Sequence, residues 1–147
     1  YRVRASEMGE TFNIHIANVF SENEETICLG GTVKDCSFSN IYASGTVRSI
    51  FATDSLPHQD GGVKMEDVEI RNISYMGDIH RNCIFDFENM RESDYIRRVI
   101  VDNICAEHIE NIGKLKSKQD IAVSNVSIKE ISGPEFIYLD GNNGEEA

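Results

Sequence analysis

Five stretches of the chain share one pattern: apolar, open, apolar, open, Asn, then a β-branched apolar residue. They are Ile14-His15-Ile16-Ala17-Asn18-Val19, Cys36-Ser37-Phe38-Ser39-Asn40-Ile41 and Val68-Glu69-Ile70-Arg71-Asn72-Ile73. The last two are Val99-Ile100-Val101-Asp102-Asn103-Ile104 and Ile121-Ala122-Val123-Ser124-Asn125-Val126. Alternation at period two describes a short strand with one buried face. Asn tolerates the left-handed backbone of a sharp corner, and its amide can bond to an Asn above and below. The five Asn are spaced by 22, 32, 31 and 22 residues, which predicts one basic coil with about ten residues inserted in the two middle turns.

A second apolar patch follows each Asn: Ile27-Cys28-Leu29, Ile50-Phe51-Ala52, Phe85-Asp86-Phe87, Gly113-Lys114-Leu115 and Ile137-Tyr138-Leu139. Each coil therefore carries three short strands, and like strands stack into three parallel sheets. The fold class expected is all-β, a right-handed parallel β-helix of about five to six coils. No coil buries its apolar side alone, so the stack is the cooperative unit. Leucine-rich repeats need Leu at fixed places, and only four Leu occur. An antiparallel sandwich gives no reason for Asn at one place five times. Asn72-Ile73-Ser74 and Asn125-Val126-Ser127 are also glycosylation sequons. A buried corner ladder accounts for all five Asn, including the three that lack a sequon.

The 147 residues are enough for one domain with a core, and 40% hydrophobic content excludes a disordered polymer. The expected organisation is a single β-helix domain over 1–147, a part of a longer β-helix. The chain starts at Tyr1 without Met or signal peptide and reads as a mature or excised piece. No apolar run approaches the roughly 20 residues of a membrane span. The net charge of −11, with no Lys/Arg cluster, argues against nucleic acid and anionic membranes as partners. The four Cys, at 28, 36, 83 and 105, form no CxxC pair, so they are expected to be reduced, buried thiols rather than zinc ligands.

Functional residues are expected on the two insertions, at 53–62 and 88–95, which follow the same kind of strand in consecutive coils and should form a wall. In Phe85-Asp86-Phe87-Glu88 the Phe point inward, leaving Asp86 and Glu88 outward and roughly 6.5–7 Å apart along the strand. That is the short end of the separation used by inverting glycosidases, so Asp86 and Glu88 are the candidate acid/base pair. Lys114 and Lys116 face the same groove from the next coil, and Asp54, His58 and Asp60 approach from the first insertion as candidate substrate-binding groups. Outward carboxylates are usually only solvated, and His15, His80 and His108 read as ordinary positions. No metal site is expected.

The phrase Gly61-Gly62-Val63-Lys64-Met65-Glu66-Asp67-Val68-Glu69-Ile70-Arg71-Asn72-Ile73 resembles the later coils of polygalacturonase-like family 28 glycoside hydrolases. The resemblance covers most of the chain. It implies a β-helix acting on a carbohydrate polymer by glycosidic bond hydrolysis, in an extracellular or periplasmic setting. The family's Asn-Thr-Asp, Asp-Asp and Gly-His-Gly motifs do not occur here. Gly45-Thr46-Val47-Arg48-Ser49-Ile50 stands where its Arg-Ile-Lys motif would be and keeps only the Arg. The resemblance thus implies that this chain supplies C-terminal coils, with catalytic coils upstream. The alternatives are a non-catalytic glycan-binding or structural β-helix module and a groove for a protein partner. An acidic groove repels polygalacturonate unless Ca²⁺ bridges the acids, so a neutral glycan is expected and no other cofactor. The exposed strand edges of the end coils are expected to self-associate or to be covered by more chain.

Overall fold

The computed structural model describes residues 2–4, 10–53, 63–78 and 81–140, with residues 2–4, 23 and 24 described in backbone only. The described chain is all β: β1 (Arg2–Arg4), β2 (Glu10–Phe12), β3 (His15–Thr53), β4 (Val63–Gly77), β5 (Cys83–Asp86), β6 (Tyr95–Ile109), β7 (Asn111–Leu115), β8 (Ile121–Ile131) and β9 (Phe136–Tyr138). Every pairing between these strands is parallel. Cys36 lies opposite Val68, Val68 opposite Val99, and Val99 opposite Ile121, so the recurring phrases stack in register. Among the described residues no helix is long and apolar enough to cross a membrane.

Straight, the 39 residues of β3 would run roughly 130 Å at about 3.3 Å each. They turn instead at left-handed residues: Asn18 (φ 60°), Asp35 (φ 53°) and Asn40 (φ 54°), with Gly31 and Gly45 also at positive φ. The later strands bend the same way at Asp67 and Asn72, at Arg98 and Asn103, and at Asn125. Strand pairing skips each Asn, Asp or Arg bend residue and resumes at the next one. The strands therefore form one curled nine-stranded sheet in the order β8-β6-β4-β3-β5-β7-β9, with β1 and β2 on β3, and not three separate sheets.

The Asn ladder forms over its first three steps. Asn40 Nδ2 donates to Asn18 Oδ1 (3.2 Å), Asn72 Nδ2 to Asn40 Oδ1 (2.9 Å) and Asn103 Nδ2 to Asn72 Oδ1 (2.9 Å). The last step departs, because Asn125 Nδ2 donates to Asp102 Oδ1 at 2.6 Å. The ladder is also exposed rather than buried at all five positions, so burial does not explain why Asn recurs. The left-handed backbone does.

The core is the inward face of the coil: Val33, Phe38, Ile41, Val68, Ile70, Ile73, Val99, Val101 and Ile104 among others. Phe38, Phe51 and Phe85 continue it as an aromatic row, with centroids 5.4 and 5.3 Å apart. Tyr75 is buried and its hydroxyl donates to the Val47 carbonyl. Two of the second patches pair one residue away from the alignment read from sequence, Phe51 rather than Ile50 opposite Phe85, and Phe136 rather than Ile137 beside Gly113. No disulfide joins the cysteines, but only Cys36 and Cys83 are buried; Cys105 is exposed because it faces outward on β6, where a thiol was expected inside.

Candidate functional site

β5 and β7 lie side by side, with Asp86 opposite Lys114 and Ala52 of β3 opposite Asp86 on its other side. Phe85 and Phe87 are buried, and this alternation turns Asp86 and Glu88 outward as expected. The strand, however, ends at Asp86. The chain then turns, closed by a bond from Met90 N to Phe87 O (3.2 Å), and Glu88 N donates to Asp86 Oδ1 (3.4 Å). An Asx-type turn of this kind folds Glu88 back toward Asp86. The spacing expected for two residues on one strand therefore does not apply past Asp86, and the two carboxyls share a hydrogen bond. Burial, the charge of Asp86 and that shared hydrogen bond together raise the Glu88 pKa, and Lys114 opposes the rise.

Lys114 is largely shielded and holds its ammonium 3.9 Å from Glu110 Oε1. Glu110 extends the polar strip along β7 toward a concavity of about 460 Å³ lined by Asp78, Arg81, Asn82, His108, Glu110 and Glu130. Arg81 holds a left-handed backbone there (φ 60°), a conformation that costs a non-glycine residue energy. Asn82 is buried and clamps the next coil, donating to His108 O (2.9 Å) and accepting from Glu110 N (3.0 Å). His108 Nδ1 lies 2.6 Å from Glu130 Oε1 across adjacent coils. The repeat sets His108 opposite Glu130, but the concavity itself arises only when a third coil adds Arg81 and Asn82.

Asp54, His58 and Asp60 lie outside the described residues, as does His80. Lys116 lies two residues beyond Lys114, just past the end of β7. It lines a small cavity of about 120 Å³ under the second insertion, with Met90, Arg91, Asp94 and Asp140. The ordered part of that insertion hangs on Asp94. Its buried carboxylate accepts from Val63 N (3.2 Å), Arg91 N (2.7 Å) and Lys64 Nζ (3.2 Å), which ties residues 91–94 to the first residue of β4.

A further groove of about 640 Å³ follows the bend at Asp35, Asp67, Arg98 and Asp120, floored by His15, Ser37 and Glu69. Arg98 replaces the Asn or Asp of the earlier coils and forks onto Asp67 (2.6 and 3.2 Å). This pairing lowers the Asp67 pKa and raises that of Arg98. The second row of bends was legible in principle, since Asn13, Asp35 and Asp67, all at positive φ, each stand five residues before a ladder Asn, as does Arg98.

Among the described residues no group of three or more His, Cys, Asp or Glu is gathered to hold a metal ion. Comparison of the chain with protein-family models, with curated proteins and with solved structures gives no significant match.

Proposed function

We propose that the chain is a glycan-binding module built on a right-handed parallel β-helix of five to six coils, akin to the later coils of polygalacturonase-like hydrolases. The observation that carries this reading is the polar strip across β5 and β7. It combines two carboxyls, one of raised proton affinity, with a shielded ammonium, and it leads into the Arg81–His108 concavity. Sugar hydroxyls both donate and accept, and a strip that offers carboxylate, ammonium, guanidinium and imidazole meets them in both roles. The surplus of acid favours a neutral polymer over a uronate.

The carboxyl pair supports binding better than hydrolysis. Inverting enzymes hold their carboxyls about 6.5–9.5 Å apart and retaining ones about 5–5.5 Å. The strand spacing that would match the inverting range does not hold here, because β5 ends at Asp86 and the chain turns at Glu88. One feature favours catalysis as a second reading: burial and the charge of Asp86 raise the proton affinity of Glu88, the direction a general acid needs. In that reading Glu88 donates the proton and other coils supply the base.

The test is a glycan array spanning neutral and uronic polymers, then titration of the best ligand against Lys114→Met, Arg81→Ala and Glu88→Gln. Lys114→Met is expected to weaken a neutral ligand about tenfold, about 1.4 kcal/mol, with an unchanged melting temperature. A reducing-end assay on the same ligand is expected to stay at background. Equal binding by all three variants refutes the strip as the site. Reducing ends that disappear in Glu88→Gln establish the catalytic reading.

A further inference from the structure

Exposed apolar side chains concentrate at the two ends of the stack. Among the described residues eight large hydrophobics are exposed; Phe12, Ile14 and Phe20 lie in the first coil, Val126, Ile131 and Leu139 in the last, and only Tyr42 and Ile100 between. The last coil shows why. Val126 and Ile131 are each 37% exposed, yet Ile104 and Ile109, which pair with them one coil earlier, are 0% and 2% exposed. These are core positions on which no described residue stacks. At the other end Ile14 is 39% exposed although Cys36, its equivalent one repeat later, is 3% exposed.

Both open ends carry the same segment of the coil. β1 and β2 cover β3 only over 28–30 and 32–34, and no described strand pairs with the outer edge of 14–22. At the far end no described strand pairs with the outer edge of β8. The ladder has a direction as well. Over the first three steps each later Asn donates to the Asn before it, and Asn125 donates back to Asp102 of the preceding coil, so Asn18 keeps its amide donors and Asn125 its carbonyl acceptor for a neighbour.

We infer that copies of this chain stack head to tail, with the 14–22 edge of one copy pairing in parallel with β8 of the next. The repeat sets the register: Ile14 meets Ile121, Ile16 meets Val123, and Val19 meets Val126, while Asn18 donates to Asn125. Apolar rows meet apolar rows, and each unpaired backbone edge gains the partner it has inside the stack. Such a contact is heterologous and does not close, so it builds open-ended chains of copies. Each copy carries a net charge of −11, so the copies repel at low ionic strength and added salt strengthens stacking.

Disulfide trapping tests the register. Ala17 and Ser124 are exposed, outward-facing equivalents on the two edges, and parallel neighbours stand about 4.8 Å apart, within disulfide reach. Ala17→Cys and Ser124→Cys chains, each with Cys105→Ser to remove the exposed native thiol, are mixed under mild oxidation. A covalent species containing one chain of each kind is expected, and neither variant alone should give it. Light scattering of the unmodified chain should show a mass that rises with protein concentration and with salt. Val126→Lys, which puts a charge on the apolar seam, should weaken association by at least about tenfold. A mass of one chain at every concentration and salt overturns the inference. So does trapping that is equally efficient with Ser127→Cys, one corner out of register, or association that Val126→Lys leaves intact.

Discussion

At the scale of single residues, the bends matter more than the bonds drawn between them. Asn72 sits at φ 60° with its amide committed on both sides, to Asn40 and from Asn103. Asn72→Ala should cost roughly 2 kcal/mol, mostly from forcing a Cβ-bearing residue without a local polar partner into the left-handed region. Asn72→Gly keeps the backbone free and loses only the exposed bonds, so it should cost about half as much. Urea titration of the two variants separates these contributions; equal costs would show that the amide ladder, not the backbone, is what Asn supplies. The five Asn were visible in the sequence for this reason, since φ restricts residue type strongly. The companion bend is harder to see because Asn, Asp and Arg all occupy it, with Arg98 held by its fork onto Asp67.

Glu88 gives a prediction of definite sign. Its folded pKa is raised, first by burial and then by Asp86. Between the ordinary Glu value and the folded value, the folded chain holds a proton that the unfolded chain has lost. Stability therefore falls as pH rises through that window, and the cost is complete above it. Glu88→Gln removes the ionisation, so it should melt no lower than the parent near pH 7, and any advantage should vanish below about pH 4. Melting curves at the two pH values decide it. A variant clearly less stable than the parent at pH 7 would mean that the carboxylate contributes through an attraction, most directly to Lys114.

At the scale of elements, two insertions of similar length have different visibility. Their positions followed from the spacing of the Asn, because extra residues must leave the coil somewhere. What holds the second one did not follow. Asp94 looks like one acid among 25 Asp and Glu, and only stacking brings it over the Val63 amide. Asp94→Ala should cost about 3 kcal/mol, because it leaves the Val63 and Arg91 amides without their acceptor and Lys64 without its counter-charge. Asp94→Asn, which keeps an acceptor oxygen, should cost less. A neutral effect of Asp94→Ala in thermal unfolding would show that water replaces the carboxylate at no cost. The geometry of Asp86 and Glu88 was half legible for a related reason. Alternation with Phe85 and Phe87 fixes their side of the sheet, but strand spacing applies only while the strand lasts, and β5 ends at Asp86.

At the scale of the molecule, periodicity carries the fold and says little about the site. A repeat reports what each coil does identically: inward apolar residues, left-handed corners, parallel neighbours. A binding surface is where coils differ, and its residues come from separate coils: His108 and Glu130 stand one 22-residue repeat apart and pair in register, but no repeat spacing sets Arg81 beside them. The polar strip and the repeat are also independent in their failure: a stack can be correct while its outer face is merely solvated. Chemical-shift mapping separates these outcomes. The unmodified chain is titrated with the best neutral glycan of the array and every backbone amide is followed. The account predicts saturable shifts confined to Phe85–Met90, His108–Leu115, Arg81–Asn82 and Glu130, with the Asp35–Asp67–Arg98 groove unmoved. Shifts centred on that groove, or no shifts with any glycan, would contradict it.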